Sequence, residues 1–135
     1  MEERPRDRLG RPLPNSASPE LVTPGVPRRS HLSSSDAWTE AMNYLELGLP
    51  FHAHEVLEQR WRCCPPDERP IWRALAQWAA ALTHEARGNP TGSTQVAERA
   101  RAGLDAYPQP PEPVDATFVR ASLERLASGS DTDRC

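Results

Sequence analysis

The sequence predicts an all-α fold: a compact bundle of about five helices in antiparallel hairpins, with the third helix at its centre. Apolar residues recur at three- and four-residue spacing from Trp38 onward, and glycine and proline punctuate the chain at helix-length intervals. No segment alternates apolar with polar residues, and no Asn-Gly or Asp-Gly hairpin turn occurs. A chain of 135 residues suffices for one domain with tails. The tryptophans and most of the alanine and leucine fall between residues 36 and 127. The organisation expected is therefore a disordered arm over 1–35, a helical domain over 36–127 and a disordered tail over 128–135.

Each element has a local reason. Residues 1–35 hold Pro5, Pro12, Pro14, Pro19, Pro24 and Pro27 among Arg, Ser and Gly, a composition that buries too little apolar surface to offset ordering entropy. The first helix starts at Ser33-Ser34-Ser35-Asp36, whose oxygens can cap free amides, and continues through Trp38, Ala41, Met42 and Leu45. Gly48 and Pro50 end it. The second runs from Phe51 to Cys63 and is stopped by Pro65-Pro66; the third has Asp67 as its cap and Pro70 in its first turn. The third continues through an alanine-rich run, apolar nearly all round, until Gly88-Asn89-Pro90. The fourth, from Thr91 to Tyr107, presents Val96, Ala97, Ala100 and Leu104, and its Gly103 costs about 1 kcal/mol relative to alanine. Pro108, Pro110, Pro111 and Pro113 impose an extended loop before the fifth helix, Asp115 to Ala127, which gathers Val119, Ser122, Leu123 and Leu126 on one side.

Composition excludes several chemistries. All 16 basic residues are arginine, so neither a Schiff-base lysine nor a P-loop lysine is available. A net charge of -3, with an excess of only two positive charges over residues 1–35, argues against nucleic acid as the main partner. No stretch has the apolar length of a membrane span and the amino terminus leads into no signal core, so a cytoplasmic setting without a membrane partner is expected. Cys63, Cys64 and Cys135 have no metal-knuckle spacing and are expected to be reduced thiols. Trp38, Trp61, Trp72 and Trp78 are expected as core anchors, and His31 and His52 as solvated.

The informative constellation lies on the second helix. At about 100° per residue, Phe51, His54, Leu57, Glu58 and Trp61 fall within about 60° of the direction of His54, whereas His52, Gln59 and Arg60 take the polar side. His54 and Glu58 are thus expected inside the stripe that faces the core, where an imidazole and a carboxylate require partners. Arg73, Gln77, Ala80 and His84 share one face of the third helix and are expected to supply them, so that His54, Glu58, Gln77 and His84 converge with Arg73 a turn away. Such a set has two readings. His54, Glu58 and His84 could ligate zinc or iron(II), leaving a position for water. Alternatively, the cluster is a hydrogen-bonded network that only sets helix register. The segment His54-Glu55-Val56-Leu57-Glu58 begins like the zinc-protease HExxH but carries Glu58 in place of the second histidine, which argues against a metalloprotease.

The run from Pro50 to Arg62, followed by Leu75 to His84 and by Arg87-Gly88-Asn89, resembles the domain-of-unknown-function family 309 over about Trp38 to Leu126. The resemblance implies a small all-helical fold with an HxxxExxW/Y signature and a suggested metal site. Carried over by position, the signature is His54, Glu58 and Trp61, and the second motif supplies Gln77, His84, Arg87, Gly88 and Asn89. His52 and Ala76 depart from the usual residues without touching the signature. Two function classes follow. In the first, a polar site of His54, Glu58, Trp61, Arg73, Gln77 and His84 binds a divalent metal ion or a small polar ligand. In the second, the domain is a helical-hairpin interaction module for a protein partner or a second copy of itself. Neither names a reaction.

Overall fold

The computed structural model describes residues 4–107 and 109–132. Its helices are α1 (Ser34–Glu46), α2 (Pro50–Cys63), α3 (Arg69–Ala86), α4 (Pro90–Asp105) and α5 (Ala116–Thr132), with short 3-10 turns at Pro19–Leu21 and Pro66–Glu68. The described residues include no strand, and none of their helices is long and apolar enough to cross a membrane.

The helix ends follow the chemistry of the residues there. The Ser33 hydroxyl accepts from the Asp36 amide at 3.1 Å, and Asn89 caps α4 by accepting from Gly92 at 3.0 Å. Gly48 and Gly88 close α1 and α3 with φ of 73° and 80°, a left-handed turn that glycine adopts without a Cβ penalty. Asp67 does not cap α3 as expected. It sits in the 3-10 turn, and the cap position falls to Glu68, whose carboxylate instead accepts from Arg60 and from the Trp72 indole. Helix α5 continues to Thr132, past the predicted end at Ala127, because Ala127 to Thr132 contain no proline and the Ser128 hydroxyl bonds back to the Glu124 carbonyl. The end of the expected tail, 133–135 with Cys135, lies outside the described residues.

Helix α3 is the centre, as its nearly continuous apolar surface predicts. Ile71, Trp72, Leu75, Trp78, Ala79 and Ala81 are all buried on it, beneath α2, α4 and α5. Its alanines are the reason neighbours come close: on α4, a Cβ built at Gly103 would lie 3.1 Å from Ala74 Cβ, and one built at Gly92 would meet His84. These pairs set α3 and α4 antiparallel. On α5, Ser122 accepts from the Trp78 indole at 2.9 Å and Arg125 pairs with Glu85. Trp72 and Trp78 are fully buried, contributing about 1.5–3 kcal/mol or more each by removal from water. Trp38 and Trp61 are half-buried, with Trp38 stacked on Trp78 at 6.4 Å. Cys63 and Cys64 are free thiols, and burial pushes the Cys64 thiol up.

The arm corrects the sequence reading. Residues 4–33 are not a disordered leader but lie along α2 and the end of α3, held through their backbone carbonyls. His52 Nε2 meets the Pro24 carbonyl at 2.7 Å, Gln59 donates to Pro27, Arg60 to Leu32, and Arg87 donates twice to Leu9 at 2.9 and 2.7 Å. Arg29 adds a bidentate pair with Glu40 at 2.8 Å. Composition misleads here because the docking is polar, while six prolines lower the entropy lost on ordering. The same docking buries the face of α2 expected to be solvated. His52 is 3% and Arg60 8% exposed. His31 is exposed as expected.

Gly10 marks the tightest contact. Its φ is 80°, and a Cβ there would fall inside the Phe51 ring, which is flanked by the Arg6 and Arg87 guanidinium groups at 5.4 and 5.8 Å. Gly10→Ala should therefore detach the arm, costing on the order of 1–3 kcal/mol. Limited proteolysis should show accelerated cleavage within residues 4–33 while the helices persist by circular dichroism. Unchanged cleavage would contradict this packing.

Candidate functional site

Helix α2 offers three differently used faces. Ala53, Val56 and Leu57 point into the core, centred about 110° round the helix from His54. His52 and Gln59 are taken by the arm. The expected core stripe is therefore displaced, and His54 and Glu58 occupy the flank, with 25% and 33% of their side chains exposed. The arm takes the face of His52 and Gln59, and Ala53 and Val56 lie inward.

On that flank His54 Nε2 lies 3.7 Å from Glu58 Oε2, and Glu58 accepts from Arg62 at 2.8 Å. Burial holds the His54 imidazole below its ordinary value; Glu58 opposes this, and Arg62 and Arg87 reinforce it. Burial thus favours the neutral ring, and at 3.7 Å its contact with Glu58 is too long for a hydrogen bond. Nδ1 is buried without a hydrogen-bond partner, and the ring packs on Phe51 at 5.9 Å.

The other predicted residues separate into two groups. Trp61, Arg73 and Gln77 line one cleft of about 440 Å³ where α2, α3 and α4 meet. His84 does not join them: its Nδ1 lies 3.2 Å from the Asn89 side-chain amide at the α3–α4 turn. Among the described residues, no three His, Cys, Asp or Glu side chains are grouped to hold a metal ion. His54 and Glu58 supply two donors where zinc takes at least three protein ligands, so the described residues do not fit a resident metal.

The cleft contains residues that the spacing argument passed over. Arg69 lies over the Trp61 ring at 4.9 Å, and Arg99 and Gly103 enter from α4. The row Arg69, Arg73, Gln77 at four-residue spacing was legible in the sequence. Arg99 was not, since only the packing of α4 on α3 brings it there. A wider cleft of about 830 Å³ between the arm and α2 is lined by both signs of charge, among them Arg4, Asp7, Glu55 and Arg62.

The state of His54 has a measurable consequence. The unfolded chain binds a proton on this ring near pH 6.5, the folded chain only at lower pH. The stabilisation is therefore full above about pH 6.5 and declines as pH falls through the folded-state value. Urea unfolding should show this acid-side loss in the parent protein and a flatter profile in His54→Gln. An imidazole titration by NMR at or above the ordinary histidine value would contradict it.

No curated protein and no solved structure matches the chain. A family model does, over residues 38–96. That stretch holds most of α1, all of α2 and α3 and the start of α4, with His54, Glu58, Trp61, Gln77, His84 and Arg87 inside it. The segment that builds the centre of this bundle is similar to the family described as domain of unknown function DUF309.

Proposed function

We propose that the domain binds a small polar ligand in the cleft shared by α2, α3 and α4. The observation that carries this reading is the meeting of Trp61, Arg73 and Gln77, from two helices, around one opening of about 440 Å³. That volume suits a small molecule, and the lining combines one aromatic wall with a few polar groups that can fix orientation. Zinc or iron(II) is not the ligand favoured, because the donors found are too few. The interaction-module reading gains less support: the exposed large apolar side chains, Leu21, Leu47 and Phe118, lie on separate elements rather than along one groove.

A screen of small neutral, cationic and anionic metabolites by NMR tests the proposal. Binders should perturb the Trp61 indole and Gln77 side-chain resonances and should weaken in Gln77→Leu. Zinc or iron(II) should leave the melting temperature unchanged. Hits that perturb only resonances elsewhere, or stabilisation by the metals alone, would overturn it.

A further inference from the structure

The cleft has a charge pattern that internal stability does not explain. Arg69 and Arg73 stand four residues apart on α3, a like-charge spacing that disfavours the helix, and Arg99 approaches from α4. Arg69 is also the first residue of α3, the positive end of the helix dipole, and the first turn of α3 contains no acidic residue. Glu68, next in sequence, is drawn away toward Arg60 and Trp72. Among the described residues no carboxylate lines the cleft, and three guanidinium groups share it. In the wider cleft beside the arm, by contrast, cations and carboxylates stand together, and Arg62 is paired with Glu58 at 2.8 Å. Arg69 is held over the Trp61 ring, which leaves a fixed cation at the rim. The close approach of Gly103 to Ala74 sets the floor.

We propose that this cleft recognises the phosphate group of a small organic phosphate, with Arg73 and Arg99 as the clamp, Arg69 as a fixed cation and Gln77 as an amide donor. The inference rests on the cleft being the ligand site and adds the ligand's chemical class. Guanidinium groups match phosphate through paired N–H donors, and the dipole of α3 reinforces them. The volume exceeds what a lone phosphate ion needs, which favours an ester over the free ion. The chain's net charge of -3 favours a small ligand over a nucleic-acid backbone.

The test is calorimetric titration of the full chain with inorganic phosphate and with a hexose phosphate, at ionic strength held constant with chloride. Saturable binding of both is expected, tighter for the ester. Arg73→Gln and Arg99→Gln should each weaken it roughly tenfold or more. Arg101→Gln, an exposed arginine of α4 outside the cleft, should leave it unchanged, and all three variants should melt like the parent. Equal or tighter binding of inorganic phosphate would retain the oxyanion and overturn the ester assignment. Heats no different from chloride, or equal losses in Arg101→Gln, would overturn the inference. A neutral or cationic molecule that perturbs Trp61 and Gln77 while phosphate stays silent would remove only the ligand class. Arginine-dependent, steeply salt-sensitive binding of a single-stranded oligonucleotide that phosphate cannot displace would assign the face to nucleic acid instead.

Discussion

The burial of α3 is the constraint on which the rest of this molecule depends. Ala74, Ala76, Ala79 and Ala81 let neighbouring helices approach it closely, and Trp72 and Trp78 fill the space that remains. Close packing of this kind leaves a helix little free surface. What stays open on α3 is a narrow strip, and Arg69, Arg73 and Gln77 lie on it. A polar row on a helix otherwise surrounded by hydrocarbon has few places to go, and here it meets Trp61 from one side and Arg99 from the other. The site is thus a consequence of packing as much as of residue choice.

The N-terminal segment shows a different balance of forces. It contributes little to the core beyond Leu32, yet four of its carbonyls accept hydrogen bonds from side chains of α2 and from Arg87 at the end of α3. Each bond is worth about 0.5–1.5 kcal/mol net. Such a sum offsets ordering entropy only when the chain is already stiff, and the prolines provide that stiffness. The docking in turn explains why α2 carries His52, Gln59 and Arg60 where an isolated helix would show water. A helix with partners on two sides cannot be divided into one apolar and one polar half.

Legibility differs by element. The start of α1 could be read from Ser33, because a cap is local chemistry, whereas Asn89, taken with the end of α3, also caps α4. The start of α3 could not be read, because the Glu68 carboxylate at its cap position accepts from Arg60 and Trp72 and bonds no amide of the first turn. Of the residues expected to form one site, Trp61, Arg73 and Gln77 do share a cleft. His54 and Glu58 form a separate half-buried pair, and His84 is engaged with Asn89. A wheel gives the angle between residues on one helix but not the rotation of that helix against its neighbours.

Periodicity, punctuation and caps therefore determined the helices, their order and the central place of α3, since these depend on interactions within a few residues and on which segment is apolar all round. The tertiary structure alone decided which way α2 is turned, that the arm docks, and that Arg99 joins Arg69 and Arg73. Those outcomes depend on contacts between residues far apart in the chain, whose strength lies in geometry that one-dimensional spacing does not contain.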